Sequence, residues 1–258
     1  MIRALRVLLA ALGLPAALFA LWWLVSADSK SFYFPPLRAI LGGFGATWSS
    51  RWTSDVLPSV GRLLLGYGGA VIAGIGLGVP LGARPRLRAA LEPALELFRA
   101  IPPPALVPVV MLLFGIGTPM KLLVIASGAV WPVLLNTIEG VRAVDEVLSD
   151  TCRSYGITGM RRLRVLVLRG ASPQIVTGMR QALSIAIILM VISEMFASSS
   201  GLGYAIVDFQ RAFSIPQMWS GILLLGVLGF VLSLGFGAFE ARALRWYHGQ
   251  RRAHREDG

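Results

Sequence analysis

"SDTCRSYGITGMRRLRVLVLRGASP", residues 149–173, is the stretch on which the reading of this chain turns. It holds five arginines, Arg153, Arg161, Arg162, Arg164 and Arg169, between long apolar segments. The charge-free run 122–138 precedes it, and the run 181–207, interrupted only by Glu194, follows. From Val141 to Tyr155 the pattern fits a surface helix, with Val144, Val147 and Leu148 on one side and charges elsewhere. Gly156 can end that helix in a left-handed conformation, and Thr158 can cap the next. Two short helices around a glycine, dense in arginine, are thus expected between two membrane spans. Such an elbow suits a soluble docking partner. It also suits anionic lipid headgroups, which attract arginine.

The rest of the composition agrees with a membrane setting. The 258 residues are 55% hydrophobic and 14% charged, where a soluble domain is about one-quarter charged. A formal charge of +11 could point to nucleic acid. Its distribution argues otherwise, because the basic residues sit between apolar spans rather than on a soluble domain, so no nucleic-acid partner is expected. The single cysteine, Cys152, excludes an internal disulfide or a thiolate cluster. The only histidines, His248 and His254, fall in the basic tail, which leaves no imidazole for a site within the spans.

A bilayer core needs roughly 20 apolar residues per helix. Together with 181–207, the charge-free runs 7–27, 63–83, 100–120, 122–138 and 212–239 predict six spans, near 5–26, 57–82, 97–117, 120–139, 174–198 and 216–240. The first ends in Trp22 and Trp23, an interfacial anchor rather than the end of a short cleaved signal. With the N-terminus inside, Arg3, Arg6, the cluster Arg84 to Arg99, Arg142 through Arg180, and Arg242 through Arg255 all lie on the cytoplasmic side. The outer side keeps only Lys30, Arg38, Arg51, Arg62, Lys121 and Arg211. The positive-inside rule therefore predicts both termini and the arginine-rich loop to be cytoplasmic. Residues 1–56 read as a first span and an extracytoplasmic connection, 57–240 as the transmembrane core with a loop at about 140–172, and 241–258 as a basic cytoplasmic tail.

Small residues crowd "GYGGAVIAGIGLGVPLG" (66–82), as close helix packing requires; a bend lining a pathway is the other reading. "IPPPALVPVV" (101–110) cannot continue a regular helix, because Pro102, Pro103, Pro104 and Pro108 each remove a donor and restrict the residue before. Irregular backbone at membrane depth needs protein or a cavity around it, so Pro102, Pro103 and Pro104 point to a translocation path. Glu194 is the one carboxylate inside a clear apolar run, and such a group faces a bundle interior or cavity. It is expected to line the path or to pair internally, with Arg62 as its candidate partner. Arg62 could instead snorkel to the interface. No phosphate-binding loop, zinc motif or paired-carboxylate signature is present, which argues against an enzyme and against cofactors in this chain.

Several stretches, taken in order, carry a resemblance. They are "SVGRLLLGYGGAVIAGIGLGVPLG" (59–82), "LEPALELFRAIPPPALVPVVMLLFGIG" (91–117), "WPVLLNTIEGVRAVD" (131–145), "SYGITGMRRLRVLVLRGASPQIVTGMRQALSIA" (154–186) and "ISEMFASSSGLGYAI" (192–206). Over roughly residues 55 to 247 the chain resembles permease subunits of ABC importers, in the nitrate/sulfonate/taurine branch. The resemblance implies an all-α, six-span type I permease in a bacterial inner membrane. Two permease copies would meet around a central path, with a second copy of this chain as the expected partner. ATPase subunits holding ATP and magnesium would dock below, a periplasmic binding protein would deliver solute above, and membrane lipid would surround the spans.

The family's coupling-loop signature falls on Asp150, Thr151, Cys152 and Gly156. Around it, Ser154 and Gly159 belong to the coupling segment, and Arg161 and Arg162 are expected to make polar contacts with the ATPase. Thr151 and Cys152 replace two small alanines of the family pattern, and Arg169 stands where a proline is usual, while Pro173 is kept. The solute implied is a small organic anion, a sulfonate foremost. Two readings from other classes remain: a proton-coupled carrier using Glu194, and a scaffold or sensor whose basic loop binds lipid or protein.

Overall fold

The computed structural model describes residues 2–196 and 198–247, with the side chains of residues up to 12 and of residue 15 excepted. His248, His254 and the arginines Arg251, Arg252 and Arg255 of the tail lie outside the described residues, as do the side chains of Arg3 and Arg6. Every regular element among the described residues is a helix. Four segments are long and apolar enough to cross a membrane: Trp52–Ala83, Thr118–Arg142, Gly159–Phe196 and Ile215–Ala243. Within them run the α-helices α4 (Leu57–Ala83), α7 (Thr118–Arg142), α10 (Leu168–Phe196) and α12 (Ile215–Ala243). The N-terminal helix α1, Ile2–Ser26, has 25 residues, about 37 Å at 1.5 Å per residue.

The span expected near 97–117 is broken at its prolines, as the sequence predicts. Helix α5 (Pro85–Ala100) and helix α6 (Val107–Phe114) are joined through a 3₁₀ turn, Pro103–Leu106, and bend by 81°. Proline is the cause. Pro102, Pro103 and Pro104 have no N–H to donate, and Pro102 and Pro103 each push the residue before them out of the helical region. Ile101 (ψ 119°) and Pro102 (ψ 121°) are extended accordingly. Arg86 and Arg88, which fall between the expected spans 57–82 and 97–117, lie with Arg99 on α5, which opens with Pro85 at its first position. The connection between the first two spans also folds, into α2 (Leu37–Gly42) and α3 (Phe44–Ser50). Trp48 of α3 donates its indole N–H to Ser220 Oγ of α12 at 3.0 Å, which ties that connection to the bundle.

The core forms where α7 packs between α4 and α10. Leu63, Ala70, Val124, Ile125, Ala129, Val133, Ala182, Ala186 and Met190 are enclosed there. The packing reading of the glycine-rich stretch holds. Gly66, Gly74, Gly78 and Gly82 lie on one face of α4, where a Cβ would stand 2.6–2.8 Å from Ile125, Val133, Thr137 and Val141 of α7. Only the missing side chains let the two backbones approach so closely. Helix α12 stands at the edge and presents Ile222, Val227, Phe230, Val231 and Leu234 outward.

Candidate functional site

Two constructions lie at opposite ends of the bundle. The first is the arginine-rich elbow. Helix α7 stops at Arg142, and the next helix, α8, spans Glu146–Ser154, later than the expected start at Val141. The sequence reading missed the cause: Asp145 caps α8, accepting the N–H of Val147 at 2.7 Å and of Leu148 at 3.3 Å. At the other end Gly156 takes φ +67°, as expected of a left-handed terminator. Ile157 N–H donates to Cys152 O at 2.8 Å and Gly156 N–H to Arg153 O at 3.0 Å, the paired bonds of a Schellman turn.

Thr158 occupies the cap position of the next helix but makes no side-chain cap bond. Its carbonyl accepts the N–H of Arg162 instead, at 3.3 Å, and Gly159 adds a second positive φ of +55°. Helix α9 (Gly159–Arg162) then passes without a break through the π turn Leu163–Val167 into α10. The second arm of the elbow is therefore the end of a membrane span.

Exposed apolar side chains crown the elbow: Val147 (73% exposed), Leu148, Tyr155 (80%) and Met160. Thr151, Ser154 and Asp150 are exposed beside them, and Cys152 is half-buried. Thr151 Oγ1 and Ser154 Oγ turn back onto Val147 O and Asp150 O, at 2.8 and 3.1 Å, and Asp150 pairs with Arg153 at 3.4 Å. The two arginines expected to reach outward together part company. Arg161 is exposed, whereas Arg162 is half-buried and donates from Nη2 to Ser149 Oγ at 2.8 Å, bracing one arm against the other.

The second construction surrounds Glu194, which is fully buried. Arg62 Nη1 donates to Glu194 Oε1 at 2.7 Å, Ser59 Oγ lies 2.8 Å from Oε2, and Gly203 N–H donates to Oε2 at 3.1 Å. Arg62 also holds the carbonyl of Ser200 at 3.0 Å and its hydroxyl at 2.8 Å. Asp55 accepts the N–H of Gly201, and Ser59 that of Leu202, both at 2.8 Å. Lys121, on the first turn of α7, donates to Ser198 Oγ at 2.6 Å.

The loop after α10 is thus fastened to α4 and α7, and the N-terminus of helix α11 (Leu202–Arg211) rests on the Glu194 carboxylate. Gly201, at φ +120°, has no room for a Cβ, which would collide with that carboxylate. Beyond it, Arg51 bonds Asp208 at 3.2 Å and lies 4.7 Å over the Phe209 ring. The Arg62–Glu194 pairing is as expected. Glu194 has no exposed surface, and Arg62, Ser59 and Gly203 bond its oxygens, so the internal pairing is the one of the two expectations that the geometry displays. Asp55, Ser59, Lys121 and the glycines of "SSSGLG" were missed as partners, although carboxylates and cations near span ends were the signal available.

Of the three prolines, Pro103 packs against the bundle, Pro104 is half-buried and Pro102 is exposed. A Cβ on Gly128 of α7 would meet both Leu189 of α10 and Pro103, so the 3₁₀ turn is seated where these two helices touch. No group of three or more His, Cys, Asp or Glu side chains able to hold a metal occurs among the described residues.

This geometry has relatives. The taurine transport system permease protein TauC of Escherichia coli (strain K12) is 31% identical over 93% of this chain and 90% of its own length. A putative aliphatic sulfonates transport permease protein of Bacillus subtilis (strain 168) is 30% identical over 90% of this chain and 86% of its own. The nitrate import permease protein NrtB of Leptolyngbya laminosa is 28% identical over 78% and 72%. Among solved structures, an inward-facing form of the MetNI methionine ABC transporter superposes with a TM-score of 0.61 at 20% identity, covering 73% of this chain and 94% of that one. That likeness places the fold among type I ABC-importer permeases. With residues 70–245 matching the family's own pattern, the chain belongs to the binding-protein-dependent transport system inner membrane components, the permease subunits of ABC importers.

Proposed function

We propose that this permease carries a small organic anion, a sulfonate foremost, that a binding protein delivers from outside and a separate ATPase drives inward. The named solutes of its relatives (taurine, aliphatic sulfonates, nitrate) support an anionic cargo. Two copies of the chain flank the path. Both termini and the elbow are cytoplasmic, because arginine crowds that side. ATP and magnesium belong to the partner, which is where hydrolysis occurs.

The observation that carries this reading is the elbow's continuity with a span. Asp150 to Arg161 form a capped, glycine-terminated corner with exposed apolar and basic side chains, and its second arm runs straight into α10. A partner that grips Tyr155, Met160 and Arg161 therefore grips the end of a helix that crosses the membrane. Movement of the partner becomes rotation of that helix. Arg162 serves the same step from inside, by keeping the two arms at a fixed angle.

Gly156→Val tests the assignment. The left-handed geometry at Gly156 costs a β-branched residue about 1–3 kcal/mol, too little to undo membrane insertion and enough to distort the corner. The variant should reach the membrane at the normal level, capture its ATPase poorly and lose solute-stimulated hydrolysis. Normal ATPase capture and uptake would overturn the coupling role. Loss of affinity for anionic lipid with intact ATPase capture would favour the scaffold reading.

A further inference from the structure

Helix α10 carries polar side chains where a lipid-facing helix would not. Gln174, Thr177, Gln181 and Ser184 are all exposed, and at 100° per residue they fall within an arc of about 80°. Gln181 and Ser184 lie near the middle of this 29-residue helix, deep in the span. Asn136 of α7 borders the same face, its Nδ2 donating to Gln181 Oε1 at 3.3 Å. Thr177 Oγ1 turns back onto Pro173 O at 2.9 Å, but the Gln174 amide and the Ser184 hydroxyl would face hydrocarbon with no partner, which a bilayer penalises. The lipid-facing surface has another place to be: α12, whose outward residues Ile222, Val227, Phe230, Val231 and Leu234 are apolar.

Two further features choose between water and packed protein as the cover. The stripe continues to Ile188, and the next residue, Leu189, turns into the bundle, where it and Pro103 of the proline-broken turn both stand against Gly128 of α7. The irregular backbone thus packs beside α10 within about a turn of the stripe's end, and irregular backbone and exposed polar side chains are both tolerated at membrane depth beside a water-filled cavity. The four positions themselves carry no charge, and Arg180, the neighbour of Gln181, turns to Glu240 of α12 at 3.0 Å. The only carboxylate on α10 is Glu194, and its oxygens are fully engaged away from this face.

We propose that Gln174, Thr177, Gln181 and Ser184 of α10, with Asn136 of α7, line the aqueous path and form a neutral hydrogen-bonding subsite for a small oxyanion. Amide N–H and hydroxyl groups donate to sulfonate-type oxygens without a fixed cation. The anion is then held firmly enough to leave bulk water and loosely enough to move on, as passage requires. The inference rests on the importer reading and assigns the path to residues that the coupling elbow does not contain.

The test uses the full transporter in liposomes, with the permease in a Cys152→Ser background. Gln181→Cys and Ser184→Cys are compared with Phe230→Cys on α12, using the sulfonate-bearing reagent sulfonatoethyl methanethiosulfonate. Residues 181 and 184 should be modified at least tenfold faster than residue 230, with rates that change when ATP is added. Rates no faster than at residue 230 would overturn the proposal. So would spontaneous disulfides between two permease copies with no modification, which would make the stripe a packed interface. As a second measurement, the near-isosteric Gln181→Glu places a negative charge on the path and should cut uptake more than tenfold at equal membrane level. Uptake at the normal rate would equally overturn it. Failure of ATPase capture, with residues 181 and 184 still reactive, would instead count against the coupling assignment and leave the aqueous path standing.

Discussion

Arg62 Nη1 sits 2.7 Å from Glu194 Oε1, joining residues 132 apart in sequence at the end of the bundle opposite the elbow. The pair has help that an isolated buried ion pair lacks. Ser59, Gly203 and Ser200 occupy the remaining donors and acceptors, so the desolvation cost is offset by hydrogen bonds as well as by charge. Its consequence is mechanical: α4, α10 and the start of α11 are held as one body.

Removing one member should therefore harm stability more than removing both. Arg62→Met or Glu194→Leu alone strands a buried charge, at a cost of about 3–5 kcal/mol. The double variant Arg62→Met/Glu194→Leu should recover part of that loss. Thermal unfolding of the detergent-purified permease, followed by fluorescence-detected size exclusion, measures the cycle. Strictly additive losses would mean that the pair is not coupled.

The approach of α4 to α7 makes a second prediction. A methyl group on Gly78 would stand 2.6 Å from Thr137 Cβ and 3.0 Å from a backbone oxygen, whereas Gly69 has open space around it. Gly78→Ala should destabilise by about 1–3 kcal/mol through overpacking. Gly69→Ala should be neutral or slightly stabilising, because alanine favours a helix. The same unfolding assay compares the two. Equal behaviour would contradict the packing.

The brace within the elbow is separable from its outward contact. Arg162→Ala and Ser149→Ala remove the same hydrogen bond, so their effects on ATPase affinity should be non-additive. Arg161→Ala should weaken capture independently of Ser149→Ala, with a loss that shrinks at high salt as exposed charge is screened. Binding isotherms of the ATPase on the purified permease would show both patterns. Additive Arg162 and Ser149 effects would place Arg162 at the partner rather than within the fold.

Topology gives a fourth. In a Cys152→Ser background, Arg164→Cys should react with an impermeant maleimide in inverted vesicles and stay unreactive in intact cells. The reverse result would invert the chain in the membrane and remove the elbow from reach of a cytoplasmic ATPase.

What the sequence determined by itself was whatever rests on local chemistry. Apolar runs set the spans because a bilayer demands length and hydrophobicity together. Gly156 ended its helix because a left-handed residue costs glycine little, and the prolines after Ile101 broke theirs because they cannot donate. What it left open depended on groups far apart in the chain. Glu194 could be recognised as costly in an apolar run, but its role was decided by Ser59, Arg62 and Gly203, which only folding brings to its oxygens. Arg161 and Arg162 look alike as neighbours; helical geometry sends one outward and turns the other onto Ser149. Gln174, Thr177, Gln181 and Ser184 are unremarked in a linear reading, since polar residues within an apolar run acquire meaning only when the packing of α4, α7 and α12 shows which face of α10 is left uncovered. Charge and hydrogen bonding act over a few ångströms, and tertiary structure alone decides which residues come within that distance.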